Sequence, residues 1–179
     1  AADQGEPNAC WHLGQLYRGG DGVEHDFVKA ASWIRKAAEQ GLQGAEREYA
    51  EFCSKGLGIA GPDCAEAARW YRKAAEQGDA ESQCELGFMY RTGLGVPVDL
   101  AESFSWYRKA ALQGNFVAMR NLSVMYRDGL GTEKDPALAE EWDLRAAWET
   151  EDHDDGSGDD GECDGDDGYE EYDEGCDGR

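Results

Sequence analysis

A pattern of about sixteen residues recurs along most of this chain and limits what the chain can fold into. Its clearest copy runs from Asp99 to Gly114, and others run from Asp26 to Gly41, from Asp63 to Gly78 and, in a weaker form, from Asp135 to Ala147. Each copy begins with aspartate, has tryptophan seven residues later and reaches an Ala-Ala pair. The closing glycines lie 37 and 36 residues apart. This period is typical of stacked repeats, because one such repeat cannot bury its own apolar face.

Each repeat begins with a helix whose apolar residues recur at helical spacing. In repeat 1, Ala9, Leu13, Leu16 and Tyr17 share one face of the predicted helix. A Gly-x-Gly sequence follows in every repeat, and glycine can adopt the left-handed backbone that ends a helix and turns the chain. The equivalent residues in repeats 2, 3 and 4 are Ala45, Tyr49, Phe52 and Cys53; Ser82, Leu86, Met89 and Tyr90; and Ala118, Leu122, Met125 and Tyr126.

The recurring aspartates predict the start of a second helix in each repeat. Aspartate is a favoured N-cap because its carboxylate accepts hydrogen bonds from unpaired backbone N–H groups and interacts well with the helix dipole. Proline suits the first helical position, where Pro136 follows Asp135. Along this helix Ala30, Trp33, Ala37 and their equivalents form a predicted buried stripe. The tryptophans recur in register, which indicates a core role rather than a ligand cage: Trp33, Trp70, Trp106 and Trp142.

The Leu13-Gly14-x-x-Tyr17 sequence, the Gly-x-Gly turn, the aspartate cap, the tryptophan and the Ala-Ala-x-x-Gly ending together resemble the Sel-one-like repeat family, relatives of the tetratricopeptide repeats. The resemblance covers about residues 1–148 and occurs four times. It implies an all-α fold, a right-handed α/α superhelix (solenoid) of antiparallel helix pairs. The implied role is that of a scaffold or adaptor that binds other proteins without catalysis.

Two repeats depart from the family pattern. In repeat 2, Ala50 replaces the helix-packing glycine and Cys53 replaces the tyrosine. Repeat 4 has Ser123 at the glycine position and Asp143 directly after the tryptophan, and it lacks the closing glycine. This drift towards polar residues is what a terminal capping repeat would show.

We therefore expect a repeat array over residues 1–148 and a separate segment over 149–179. Residues Ala1–Gly5 match the ending Ala37–Gly41, so the chain is expected to begin inside a repeat and Ala1 is not expected to be the native start. The predicted boundaries are the end of a preceding repeat at 1–7, then repeats 1 to 4 at about 8–43, 44–80, 81–116 and 117–148.

Residues 149–179, the acidic tail, contain 16 acidic residues and one basic residue, Arg179. The tail is nearly free of aliphatic residues, so we predict that it is disordered. Three roles remain open: a solvating tail, a segment that folds back on the repeats and competes with ligands, and a calcium site. Asp160–Gly165 with Glu171 approaches an EF-hand loop, although Asp167 occupies the usual apolar position.

The first helix of each pair lines the concave face in arrays that this sequence resembles, and its variable positions are the candidate partner contacts. Arginine follows the repeat tyrosine in three of the four repeats, which predicts a basic stripe. Aromatic and arginine residues are typical interface anchors, so we expect an acidic or carboxylate-bearing peptide to bind there. In the alternative, these arginines pair with neighbouring acids such as Glu51, Glu85 and Asp128. The predicted partner-binding residues are Trp11, Gln15, Arg18, Arg47, Glu51, Phe88, Arg91, Arg120, Val124 and Arg127.

Composition and motifs disfavour several classes of function. A formal net charge of -22 argues against a nucleic-acid partner, and no apolar run is long enough to span a membrane. The three histidines have no paired ligand spacing, and neither HExxH nor Ser-x-x-Lys occurs. We therefore predict no catalytic residue, metal or cofactor, and the sequence predicts no compartment or oligomeric state. The alternative function is a calcium-binding or polyanion-mimicking tail carried on a repeat scaffold.

The six cysteines show no CxxC spacing. Cys53 and Cys64 replace core residues of the repeat, so they are either small buried hydrophobes or a disulfide pair. Cys163 and Cys176 could pair within the tail in an oxidising compartment.

Overall fold

The computed structural model describes residues 6–151, with side chains as far as Trp148, and this range consists of eight α-helices without a strand. The predicted all-α fold is confirmed over these residues. The predicted disorder of the tail, its calcium loop and the Cys163–Cys176 pair concern residues outside the described range. No helix within 6–151 is both long and apolar enough to cross a membrane. The helices are α1 (Pro7–Gly19), α2 (Phe27–Ala38), α3 (Gln43–Lys55), α4 (Cys64–Glu76), α5 (Ala80–Thr92), α6 (Leu100–Ala111), α7 (Phe116–Asp128) and α8 (Pro136–Glu151).

The helices form two compact units, each with two of the repeats. The first compact unit contains α1 to α4 together with Leu94–Val96, and the second contains α5 to α8. In the first, α1 packs against α2, α2 against α3, and α3 against α4. In the second, α5 packs against α6, α6 against α7, and α7 against α8. Each repeat is therefore a helical hairpin, and within a compact unit the second helix of one repeat contacts the first helix of the next.

The aspartates begin the second helices as predicted. The Asp26 carboxylate accepts a hydrogen bond from the Lys29 backbone N–H at 3.0 Å, and Asp63 accepts one from Glu66 at 2.9 Å. Asp99 and Asp135 each accept two backbone N–H bonds in the same way. These caps satisfy N–H groups that the first helical turn leaves unpaired.

The second glycine of the Gly-x-Gly turn brings consecutive repeats together. Gly58, in the turn after α3, has a φ of 65°, and a Cβ at this position would lie 2.0 Å from the carbonyl oxygen of Phe27 at the start of α2. Gly131 approaches Leu100 of α6 at the same distance. The sequence predicts glycine here for the turn alone. The close approach between repeats is a second requirement, because any side chain would overlap the preceding repeat.

The tryptophans belong to the core as predicted. Trp70, Trp106 and Trp142 are buried, and Trp33 is partly buried. A basic residue three positions later covers each indole, and its charged group lies 3.5 Å from the ring centroid at Lys73–Trp70 and 4.7 Å at Arg145–Trp142. Such cation–π contacts contribute about 0.5–1 kcal/mol at exposed sites. The contact between the tryptophan and its basic partner therefore recurs in every repeat.

Leu16 is less buried than its position in the repeat predicts. Its equivalents Phe52 and Met125 are fully buried, whereas Leu16 is 40% exposed. Helices α3 and α7 each pack against the second helix of the preceding repeat, α2 or α6. Among the described residues no helix precedes α1, so this face of α1 has no such neighbour.

Cys53 does not form the disulfide that the sequence left open. It is a free thiol, buried in α3, and burial raises the pKa of this thiol to about 11. The Cys53–Cys64 pairing is therefore wrong. The other interpretation, a small buried hydrophobe, holds for Cys53.

Candidate partner-binding site

The predicted partner-binding residues lie on the first helices of the four repeats, as the register requires. Five of them belong to each compact unit, and the two groups have different surroundings. The first compact unit carries Trp11, Gln15 and Arg18 on α1 and Arg47 and Glu51 on α3. The second carries Phe88 and Arg91 on α5 and Arg120, Val124 and Arg127 on α7.

A buried carboxylate organises the group in the first compact unit. Glu48 of α3 is 6% exposed and accepts hydrogen bonds from the indole N–H of Trp11 and, at 3.0 Å, from the Arg18 guanidinium. The Trp11 ring also packs on α3, where a Cβ at Gly44 would lie 3.0 Å from it. Trp11 and Arg18 thus join α1 to α3, and Glu48 was not among the predicted site residues.

The charge of Arg18 is compensated within the first compact unit. Its second guanidinium nitrogen lies 3.8 Å from the Glu51 carboxylate, which also pairs with Lys55 at 3.0 Å. Arg18 therefore pairs with neighbouring acids, as the alternative interpretation of the stripe predicts. Gln15 is exposed on α1, and Arg47 is partly buried on α3.

In the described part of the second compact unit, two arginines lack such compensation. The Arg91 guanidinium lies 5.7 Å from the centroid of the Phe88 ring, and Phe88 packs, partly buried, against the core that includes Leu122 of α7. Arg120 is exposed on α7. Neither Arg91 nor Arg120 forms an ion pair with a side chain between residues 6 and 148. Within residues 6–148, this surface therefore combines two arginines that have no ion-pair partner with a partly exposed aromatic ring.

Arg127 is anchored by the polar residues that distinguish repeat 4. Its guanidinium donates to Asp143 of α8 and, at 3.3 Å, to the Ser123 hydroxyl, which itself donates to Asp143. In repeat 3 the equivalent glycine, Gly87, faces the ring of Tyr107, and a Cβ there would lie 2.9 Å from that ring. In repeat 4 the equivalent positions hold Ser123 and Asp143, and this pair orients Arg127.

A second buried polar pair was also not predicted from the sequence. Glu46 of α3 is buried, and burial raises the pKa of its carboxyl group. The Gln77 side-chain amide donates to Glu46 at 2.6 Å, and Gln113 donates to Gln83 at 2.8 Å in the equivalent place of repeat 3. The glutamine that recurs before each closing glycine is the sequence feature that could have predicted this pair.

Among the described residues no cluster of histidine, cysteine or acidic side chains could hold a metal ion.

Helical hairpins that recur in both sequence and packing define the class of tandem helical-repeat proteins. The family model for the Sel1 repeat matches residues 7–42, 44–79, 80–115 and 117–147. The chain therefore belongs to the Sel1 repeat family, and the resemblance to Sel-one-like repeats is confirmed. Repeats of this family commonly serve as non-catalytic scaffolds for protein interactions. A search of curated proteins finds no match.

Two solved structures are similar to this chain. One is c5321, a protective antigen present in uropathogenic Escherichia coli strains that displays an SLR fold, with 37% identity and a TM-score of 0.80. The match covers 83% of this chain and 32% of the c5321 chain. The other is a Sel1 repeat protein from Oxalobacter formigenes, with 36% identity and a TM-score of 0.77. This match covers 81% of this chain and 57% of the Oxalobacter formigenes chain. This chain thus spans about a third of the length of c5321 and somewhat more than half of the length of the Oxalobacter formigenes protein.

Proposed function

We propose that this chain is a non-catalytic adaptor that binds an acidic segment of a partner protein on one surface of its second compact unit. This surface, the arginine face, consists of Phe88, Arg91, Arg120, Val124 and Arg127. The observation that carries the proposal is that neither Arg91 nor Arg120 forms an ion pair with any described side chain, in a chain with a formal net charge of -22. A partner carboxylate would supply the missing counter-charge, and Phe88 with Val124 would contact an adjacent apolar side chain.

The first compact unit is less suited to an acidic partner. Arg18 already bonds to Glu48 and approaches Glu51, so a new carboxylate would have to displace these internal contacts. The buried Glu48 would then lose a donor, which carries a desolvation cost of about 1–3 kcal/mol or more for a charged group. We therefore place the predicted residues Trp11, Arg18 and Glu51 in a structural role.

Charge reversal on the arginine face tests the proposal directly. The probe is a fluorescein-labelled ten-residue peptide that is rich in glutamate and contains one phenylalanine, with a glutamine-substituted peptide as its neutral counterpart. Arg91→Glu and Arg120→Glu should each weaken binding of the acidic peptide at least tenfold, because hydrogen bonds to charged groups contribute about 1.5–3 kcal/mol. Fluorescence anisotropy titration measures this effect.

Arg108→Glu provides a matched control, because Arg108 is exposed on α6 in the same compact unit but belongs to a second helix. It changes the net charge equally and should alter the affinity less than twofold. Equal weakening by all three substitutions, or equal binding of the acidic and neutral peptides, would contradict the proposal.

The acidic tail supplies a second element of this proposal. We infer that the tail competes with an acidic partner for the arginine face, because its 16 acidic residues carry the charge sign that the face attracts. A partner would then have to bind the arginine face strongly enough to displace the tail.

A further inference from the structure

Three residues of α7 form a stripe along one side of the helix. Phe116, Arg120 and Val124 are spaced four residues apart, so their side chains are neighbours on the helix surface. Phe116 is 42% exposed, Arg120 is exposed and Val124 is partly buried. The stripe therefore presents an apolar, a basic and an apolar side chain in that order. Phe116 is not one of the residues of the arginine face.

The charge of Arg120 is not compensated by its neighbours on α7. The side chains three and four positions away are all uncharged: Phe116, Val117, Ser123 and Val124. Arg120 also forms no ion pair with a side chain elsewhere between residues 6 and 148. The guanidinium at the centre of the stripe is therefore available to a carboxylate from outside these residues.

The stripe is specific to repeat 4. None of the other first helices has a basic residue between two apolar ones at these positions. The equivalent residues are Pro7, Trp11 and Gln15 in α1; Gln43, Arg47 and Glu51 in α3; and Ala80, Cys84 and Phe88 in α5. Because the repeat pattern does not require this arrangement, it distinguishes α7 from the helices that share its place in the fold.

The spacing of the stripe matches that of an extended peptide. Four residues of an α-helix rise by about 6 Å, and two residues of an extended chain span about 6.6 Å. Side chains two positions apart in an extended chain also point to the same side. Every second side chain of an extended segment that lies along α7 can therefore contact one residue of the stripe. The complementary order is apolar, acidic, apolar.

We propose that Phe116, Arg120 and Val124 select an extended five-residue segment of the acidic partner, with an acidic residue at its centre and large aliphatic residues two positions before and after it. The central carboxylate bonds to Arg120, and the aliphatic side chains cover Phe116 and Val124. Either chain direction fits, because this order is symmetric about the acid. The inference rests on the proposed function and adds Phe116 to it as a residue that determines specificity.

The test uses the full chain of 179 residues and two fluorescein-labelled peptides of equal length and composition. The matched peptide has Leu-Ser-Glu-Ser-Leu at its centre, and the shifted peptide has Ser-Leu-Glu-Leu-Ser, with the same Gly-Ser pair at each end. In an extended shifted peptide both leucines point away from the side that carries the glutamate. Fluorescence anisotropy titration should show that the matched peptide binds at least fivefold more tightly.

Removal of the Phe116 ring should affect only the matched peptide. Phe116→Gln should weaken its binding at least fivefold and change that of the shifted peptide less than twofold. Glutamine occupies the equivalent place in α3, at Gln43, so the variant should keep the thermal unfolding midpoint of the wild type. Leu144→Gln is the matched control, because Leu144 is 67% exposed on α8 of the same compact unit. It should change the affinity for either peptide less than twofold.

The outcomes separate this inference from the proposed function. Equal affinity for the two peptides, or an equal effect of Phe116→Gln on both, would overturn the inference. If Arg120→Glu still weakens the glutamate-rich peptide, the proposed function stands and only the preference for spacing fails. Absence of binding by both new peptides, when the glutamate-rich peptide binds, would overturn the inference in the same way. If none of the three peptides binds, the proposed function and this inference both fail.

Discussion

At the scale of single residues, Glu46 offers the sharpest prediction about stability. Its carboxyl group is buried, and its pKa is raised chiefly by that burial, so the ionised form is disfavoured in the folded state. Below the pKa of the unfolded state the carboxyl group is protonated in both states and imposes no penalty. As the pH rises through the folded-state pKa, this residue's contribution to stability is lost.

The substitution Glu46→Gln should therefore stabilise the protein at pH 7, and the gain should vanish near pH 4. Gln83 shows that glutamine fits the equivalent place, where it accepts a hydrogen bond from Gln113. Urea unfolding of both proteins at the two pH values measures the difference. Glu141→Gln serves as the control, because Glu141 is an exposed residue of α8. A loss of stability at pH 7 would show that the charge of Glu46 is needed.

Residues that act within their own helix were the ones that the sequence could predict. Asp26 and Asp99 cap helices through bonds to N–H groups two or three positions away, so the local pattern is sufficient. The bond between Arg18 and Glu48 joins residues 30 positions apart. The sequence shows both side chains but not which acid each arginine meets, because that depends on how α1 and α3 pack. For this reason the sequence left open whether the arginines of the basic stripe pair with neighbouring acids, as Arg18 does.

At the scale of elements, the Gly-x-Gly turns explain how consecutive repeats approach each other. Gly131 and Gly22 both have left-handed backbone, with φ values of 68° and 73°. A Cβ at Gly131 would lie 2.0 Å from the Leu100 carbonyl oxygen, whereas none of the surrounding atoms lies within 4 Å at Gly22. The two glycines therefore share the backbone requirement and differ in the contact between repeats.

Replacing each glycine with alanine separates the two effects. Gly22→Ala should destabilise the protein by about 1–2 kcal/mol, the strain of a side chain in left-handed backbone. Gly131→Ala should cost distinctly more, since the turn must also move away from α6. Chemical denaturation of the two variants measures the difference. Equal losses would show that the approach to Leu100 contributes nothing.

The helices themselves were predictable because four copies report the same pattern. A tryptophan in one copy could be a ligand contact, but the same residue in four registers indicates a core position, and the structure buries three and partly buries the fourth. The exposure of Leu16 was not predictable from that pattern, because it depends on the neighbour of α1 and not on α1. The exposure of Leu144 and Trp148 on α8 was not predictable either, because the second helix has the same spacing in all four repeats.

At the scale of the whole molecule, charge is distributed unevenly. Arg91 and Arg120 lie on first helices of the second compact unit, in a chain with a formal net charge of -22. An acidic partner of the proposed adaptor would therefore be attracted to one small surface and repelled by most of the rest.

Removal of the acidic tail tests its role as a competitor. A chain that ends at Glu151 should bind the acidic peptide more tightly than the full chain, most clearly at low salt, because screening weakens the competition as ionic strength rises. Titrations at roughly 20 mM and 500 mM salt compare the two chains. A control chain with the acidic residues of 152–179 replaced by asparagine and glutamine should behave like the shortened one. Equal affinities at low salt would contradict competition by the tail.

The most direct measurement of the central claim is a map of where an acidic peptide binds. Chemical-shift perturbation in ¹⁵N-labelled protein, titrated with the glutamate-rich peptide, reports each backbone N–H separately. The account predicts saturable shifts that concentrate on α5 and α7, around Phe88, Arg91, Arg120 and Arg127, and that disappear in the Arg91→Glu variant. Shifts that concentrate on α1 and α3, or that persist unchanged in that variant, would contradict it.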